Sequence, residues 1–372
     1  YVNSSGLEGT YYTIQEAVDA ANAGDNIYIA TVGTYSEDVV VDKTLFLIAA
    51  VPDELFTLSG EIQFNCPNGS EVTIIGLNNG SVGANITGDD DIKINIISSL
   101  VSAINFGAYS GYEVNVYNST VYNAFTIKNG QVKGNIINTL NVSDDALTDN
   151  DTIKIMGNYM KDLDYSNDSH YFEICNNFID GSSQPSDLPF SITDWRTTSG
   201  GTNLISNNTI TFYEVNSYSS AYGIYFSNNT DGQNLVIANN YIECTYESYS
   251  TTGYAIYSTW AISNAYVANN YYAANTETSN FETSSIIDNV SANYNYDASS
   301  GIVSGGENMG LDWIEYRDID NSINDIGPAG GPHAWSNYNT TQGKAAIFDL
   351  ELPFQLYIGG IHNVKAKSFH KN

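Results

Sequence analysis

Ile74-Ile75-Gly76-Leu77-Asn78, Ile96-Ile97-Ser98, Val116-Tyr117-Asn118 and Ile136-Ile137-Asn138 repeat one pattern, an apolar pair soon closed by a small polar residue. The closing residues Asn78, Ser98, Asn118, Asn138 and Asn158 stand 20 residues apart, and Asn177 follows 19 later. The signal returns in Asn207-Asn208-Thr209-Ile210, Asn239-Asn240-Tyr241-Ile242 and Asn269-Asn270-Tyr271-Tyr272, at steps of 31, 32 and 30. A fixed period with insertions of about ten residues marks a solenoid, in which each repeat buries its face only against its neighbours.

The runs are rich in Ile and Val and are broken by Asn, Gly, Asp and Ser, so they read as strands and turns. One repeat suits a coil of three short strands, and stacked coils pair strand on strand at about 4.8 Å. Asn tolerates the left-handed backbone of a tight corner. Asn at one corner of successive coils also allows a ladder of side-chain amides. The Leu-x-x-Leu-x-Leu pattern of leucine-rich repeats is absent. The sequence predicts an all-β chain, a right-handed parallel β-helix.

The 372 residues carry 12 Lys+Arg against 42 Asp+Glu, a net charge of −30. Such a chain has no basic surface for nucleic acid or anionic membranes. No apolar run approaches the roughly 18 residues of a membrane span, so no membrane insertion is expected. The first residue is Tyr1, which fits removal of a leader or trimming of the chain. Cys66, Cys175 and Cys244 lack metal-ligand spacing and read as buried small hydrophobes. Asn85-Ile86-Thr87, Asn118-Ser119-Thr120 and Asn339-Thr340-Thr341 are sequons that arise by chance in so Asn-, Ser- and Thr-rich a chain.

Three regions follow. Residues 1–26 hold an N-terminal segment and an amphipathic helix over 13–23, with Thr13 and Glu16 as a capping box and Gly24 as its stop. Ile14, Ala17, Val18 and Ala21 share its apolar face, which suits it to cover the open end of the solenoid. Residues 27–332 are the β-helix, opening with the runs Ile27–Ala30, Val39–Val41 and Leu45–Ile48. Residues 333–372 are either a C-terminal cap or the first strands of a further β-domain, because apolar and polar residues alternate from Ile347 to Ile358.

The stretch Tyr12 to Ile48 resembles the N-terminal signature of the pectin lyase-like superfamily: helix, Gly24-Asp25, strand, Gly33-Thr34-Tyr35-Ser36-Glu37, strand, Asp42-Lys43, strand. Arg317-Asp318-Ile319-Asp320, Asn324-Asp325-Ile326-Gly327 and Gly330-Gly331-Pro332 are similar to the closing motif of secreted bacterial β-helix proteins. The resemblance implies the fold and an extracellular or bacterial cell-surface location. It leaves activity open, since the superfamily contains lyases, hydrolases, esterases and non-enzymes.

The period also sorts side chains into columns. Lys93, Glu113 and Lys133 fall in one column, Lys154 and Glu173 in another, which reads as inter-coil ion pairs of small energetic weight. Asp145 and Asp164 fall at equivalent places, as do Asp149 and Asp168, with Asp151 close by and Gly88-Asp89-Asp90-Asp91 on the same turn of an earlier coil. Stacked like charges repel, so these turns are either solvated or hold Ca²⁺ through oxygen ligands. No other cofactor is called for. His170 aligns with Asp151, a pair that reads as a surface hydrogen bond in the absence of a neighbouring nucleophile or Arg.

Tyr222-Gly223-Ile224-Tyr225 and Tyr254-Ala255-Ile256-Tyr257 are 32 residues apart, one long coil, and Trp260 follows. Tyr222 should stack near Tyr254 and Tyr225 near Tyr257, giving either core packing or a face for sugar rings, with Glu214, Glu243 or Glu247 for the hydroxyls. The Gly33–Glu37 stretch resembles an early motif of pectin methylesterases, but their later Gln-Ala-Val-Ala and Asp-Phe-Ile-Phe-Gly runs are missing. Asp89-Asp90 and Asp144-Asp145 lack the Gly-His-Gly and Arg-Ile-Lys of polygalacturonases, and no base for a pectate lyase can be placed. The sequence therefore favours a non-catalytic surface or adhesin-type protein that binds a polysaccharide, a cell-surface glycan or other protein chains. The alternative is a polysaccharide lyase or glycoside hydrolase acting on an acidic polysaccharide.

Overall fold

The structure is a computed structural model describing residues 1–5, 8–84, 91–144, 151–181, 188–198, 200–214, 220–228, 234–246, 253–274 and 276–281, and short stretches from 286 onward. Twelve short runs, from Asn26–Ile29 and Leu45–Ala49 to Tyr266–Ala268 and Ile286–Ile287, pair in chain order as one 12-stranded parallel sheet. Other strands of the same coils form a second parallel sheet of 20 strands. Parallel neighbours one coil apart mean that the chain closes one turn per rung, which is a parallel β-helix.

One inward position of the first sheet explains the stacking. Ile27, Leu47, Ile74, Ile96, Val116, Val132, Ile155, Ile174, Ile205, Ile237 and Val267 follow one another in register. All are buried. Each such side chain contributes about 1.5–3 kcal/mol on burial, several times an exposed ion pair.

Two residues make the corner after this sheet, and they do different work. The first is left-handed: Gly76, Ser98, Asn118, Gly134, Gly157, Asn176, Asn207, Asn239 and Asn269 have φ between 47 and 79°. The second is buried and builds the ladder: Ser99, Ser119, Asn135, Asn158, Asn177, Asn208, Asn240 and Asn270. Asn158 shows the pattern. Its backbone N–H and its Nδ2 donate to Asn177 Oδ1 at 3.0 and 2.9 Å, and Nδ2 also donates to the Val132 carbonyl at 2.8 Å. Asn177 donates in the same way to Asn208 Oδ1 and the Ile155 carbonyl, and Asn208 to Asn240 Oδ1 and the Ile174 carbonyl.

The regular 20-residue spacing thus mixes columns. Ser98 and Asn118 are left-handed residues, Asn138 lies inside the strand Ile136–Val142, and only Asn158 and Asn177 belong to the ladder. The ladder steps from Ser99 to Asn177 are 20, 16, 23 and 19 residues. A short coil followed by a long one restores the apparent period, because the stacked core fixes the rungs while the turns vary.

The same shift corrects a charge column. Lys93 and Glu113 are register partners with an ion pair of 2.8 Å, and Lys154 pairs with Glu173 at 3.7 Å. Lys133 is not part of the first column. Glu113 pairs with Asn129 across the short coil, and Lys133 is buried with Tyr117 and Met156 as its register partners.

The N-terminal helix α1 (Ile14–Ala20) has the expected capping box at Thr13 and Glu16. It is shorter than expected, because Ala21 is already extended. Both ends are held by the opening coil. The Glu37 carboxylate accepts the Ile14 and Gln15 N–H groups at 2.8 and 3.0 Å, and Lys43 Nζ donates to the Val18 and Ala21 carbonyls at 3.2 and 3.4 Å. These charges complement the helix dipole. The Gln15 side chain brackets Val40, accepting its N–H at 2.7 Å and donating to its carbonyl at 3.3 Å. The helix so covers a strand edge.

The segment similar to a closing motif lies alongside the corner of three coils. Asn176 Nδ2 donates to the Pro328 and Gly330 carbonyls at 3.0 and 2.6 Å. Asn207 Nδ2 donates to Asn324 Oδ1 and to the Asp325 and Gly327 carbonyls at 2.7, 2.8 and 3.1 Å. Gly327 N–H donates to the Asn239 carbonyl at 2.9 Å. The left-handed Asn residues thus hold residues 324–330 as a clasp. Further along the chain, Lys344–Glu351 and Lys365–Lys371 pair as an antiparallel hairpin in a sheet of their own.

Candidate functional site

The paired tyrosines meet as the spacing predicts. Tyr222 and Tyr254 are register partners with ring centroids 5.6 Å apart and planes at 13°, and Tyr225 and Tyr257 stack at 5.8 Å and 14°. Tyr222 also tilts against Tyr257 at 4.6 Å, so the four rings form one half-buried cluster. Gly223 permits it. A Cβ there would lie 2.4 Å from Ile242 Cγ2, so Gly223 faces the core with buried Ile224, and Tyr222 and Tyr225 on either side of the pair are half-buried. Trp260 stands on the bulge between Tyr257 and Ile262 with 59% of its surface exposed. Of the three glutamates, Glu243 accepts a hydrogen bond from the Tyr241 hydroxyl at 3.2 Å. Glu247 and the Glu214 side chain lie outside the described residues.

The acidic columns need correction. Asp145 and Asp149 lie outside the described residues, as do Asp89 and Asp90. Asp164 pairs with Asn141, not with the position of Asp145, and the Asp168 N–H donates to Asp144 Oδ1 at 2.9 Å. The second sheet steps 23 residues here, whereas the first sheet steps 19 between Lys154 and Glu173, and the intervening turns take up the difference. Asp151 is exposed at the start of its coil. Among the described residues no three His, Cys, Asp or Glu side chains converge closely enough to hold a metal ion. Asp144 and Asp164 do not gather with a third such side chain at one point.

They line an open groove instead. Asn141, Ser143, Asp144, Asp164, Ser191 and Thr193 form its walls. Ser191 Oγ donates to Asp164 Oδ1. This groove was not legible as one site in the sequence, because Asp164, Ser191 and Tyr225 are separated by uneven coils. Their registers join it to the aromatic cluster: Asn141, Asp164, Ser191, Tyr225, Tyr257 and Ser279 occupy successive rungs of one column.

Beside the groove, burial and then the Asp164 charge push the Asp162 carboxyl up to about 7. Its Oδ1 is buried without a hydrogen-bond partner among the described residues. The unfolded chain releases this proton near the ordinary carboxylate value of 3.8, whereas the folded protein keeps it until about 7. Between these values the unfolded state binds fewer protons, so stability falls as pH rises through the window. Asp162→Asn removes that loss. Discounted for partial exposure, the variant should be more stable than the parent by on the order of 1 kcal/mol above neutrality, and equal to it below the window. Urea unfolding at both pH values measures this, and an unchanged difference across the window contradicts it.

His170 aligns with Asp151 as expected, through the Tyr171–Thr152 register, but it is not at the surface. It is 1% exposed, whereas Asp151 is exposed. Arg196 lies one residue from Asp168, where Nη1 donates to the Ser169 carbonyl. Its guanidinium sits 5.0 Å over the Tyr171 ring, and Nε donates to Thr198 Oγ1 at 2.9 Å. Cys66, Cys175 and Cys244 are free and buried, and burial raises their thiols to about 11, 12 and 12, which leaves them unreactive. Glu37, in the stretch resembling an esterase motif, is occupied by the helix N-terminus.

No protein-family model matches the chain, and no curated protein or solved structure matches it. The class that fold and site define is a parallel β-helix with an outward aromatic cluster and an adjoining acidic groove.

Proposed function

We propose that the protein is a non-catalytic, extracellular β-helix of the pectin lyase-like kind, at the bacterial cell surface, that binds glycans on its Tyr222–Tyr257 face. The observation carrying this reading is the four-ring cluster beside exposed Trp260 on a sheet fixed by a buried core. Aromatic rings on rigid elements give contact area at low entropic cost. No described helix is long and apolar enough to cross a membrane. Retention on immobilised polysaccharides tests the reading. Tyr222→Ala combined with Tyr254→Ala should weaken retention roughly tenfold while the fold, seen by circular dichroism, persists. Unchanged retention removes this face as the site.

One observation favours an enzymatic alternative, a glycoside hydrolase. Asp162 keeps its proton to about 7, and a carboxyl group still protonated near neutrality can serve as a general acid. New reducing ends from a polysaccharide, abolished by Asp162→Asn, would establish it. An acidic polysaccharide is disfavoured as substrate or ligand, because a chain of net charge −30 repels it.

A further inference from the structure

We infer that the ligand of this face is a cationic amino-sugar oligosaccharide lying parallel to the helix axis, with a sugar ring on Tyr225 and Tyr257 and ammonium groups at Asp164 and Asp144. This rests on the glycan-binding reading above and adds the ligand's charge class and direction.

The direction comes from the register. Asp164, Ser191, Tyr225 and Tyr257 lie on consecutive rungs, and rungs are about 4.8 Å apart, so the carboxylate and the first ring are about 10 Å apart along the axis. A short oligosaccharide spans that distance. Small side chains continue the track at each end, Ser279 beyond Tyr257 and Asn141 beyond Asp164, so a linear chain can extend both ways.

The charge class comes from the groove. Asp144 and Asp164 line it, while Asp168 holds its backbone N–H on Asp144 and Asp194 feels both Asp168 and Asp144. These carboxylates are spread along the surface and do not converge on one point among the described residues. Spread charge suits a ligand with several separate cations better than a compact metal ion. Thr193 lines the groove with these carboxylates and offers a hydroxyl to a sugar, while Ser191 Oγ donates to Asp164 Oδ1 and holds that carboxylate in place. A polypeptide rich in Lys would meet the charges but gains nothing from rings set at a fixed rung.

Calorimetric titration at mildly acidic pH decides the matter, using a deacetylated chito-oligosaccharide, its N-acetylated counterpart and oligolysine as probes. The free-amine sugar should bind roughly five- to tenfold tighter than the acetylated one, a gap that narrows as salt is added. Asp164→Asn should narrow the gap and Asp164→Asn with Asp144→Asn should abolish it; the fold should accept both, because Asn141 already occupies the rung beside Asp164 and an Asn oxygen at 144 can still accept the Asp168 N–H. Tyr257→Ala should weaken both sugars by the same factor. Equal or tighter binding of the acetylated sugar overturns the charge assignment and leaves glycan binding standing. Oligolysine binding as tightly as the amino sugar, unaffected by Tyr257→Ala, overturns the proposal in favour of a general cation surface. If neither sugar binds, the glycan reading itself fails.

Discussion

Asn177→Ala should lower the unfolding free energy by about 4 kcal/mol, since each buried polar group left without a partner costs about 1–3 kcal/mol. Asn177 Oδ1 accepts both the backbone N–H and the Nδ2 of Asn158, and its Nδ2 donates to the Ile155 carbonyl and Asn208 Oδ1. All of these groups lie in the interior, and alanine replaces none of the four bonds. The amides point in one direction along the stack, from Asn135 to Asn270, so each bond polarises the next. Asn177→Asp separates hydrogen bonding from packing. It keeps the acceptor for Asn158 but sets a carboxylate oxygen against Ile155 O and Asn208 Oδ1. Its penalty should be large at neutral pH and shrink in acid, where the carboxyl can donate again. Urea unfolding reads both effects, and a loss under about 1 kcal/mol for the alanine variant would mean that the ladder is incidental to stability.

Asn207→Gly should free the clasp without opening the coil. Glycine keeps the left-handed backbone, where φ is 56°, and removes the Nδ2 that holds Asn324, Asp325 and Gly327. Three acceptors lose their donor at once. The remaining contacts to the corner, from Asn176 to Pro328 and Gly330 and from the Gly327 N–H to the Asn239 carbonyl, hold only the far end. Amide exchange over 322–331 should accelerate roughly a hundredfold, while the strand Asn203–Ser206 keeps its protection. Acceleration throughout the coil would show instead that the clasp is integral to the solenoid. Asn207→Ala should combine the clasp's release with the strain of a left-handed alanine of about 1 kcal/mol, so the two variants together separate side chain from backbone.

The paired Tyr-x-x-Tyr stretches were legible in the sequence because identical motifs one coil apart must land on adjacent rungs. The solenoid was legible because the Asn-Asn dipeptides at 207–208, 239–240 and 269–270 mark true corners. The upstream corners were misread because Ser98, Asn118 and Gly134 take the left-handed place while Ser99, Ser119 and Asn135 carry the ladder. A single letter pattern cannot separate those two roles when Ser, Gly and Asn share them. The groove stayed hidden for a related reason. Asp164 meets Ser191 after 27 residues and Ser191 meets Tyr225 after 34, so no constant spacing joins them. The roles of Glu37 and Lys43 left no trace in the sequence, because the partners they serve are backbone groups of the helix.

The most direct measurement is a crystal structure of the protein with a bound deacetylated chito-oligosaccharide. Sugar density running along the helix axis, with a ring against Tyr257 and an amino group within hydrogen-bond reach of Asp164, is the predicted result. Density that crosses the axis, or that occupies a face without Tyr225 and Tyr257, would contradict it.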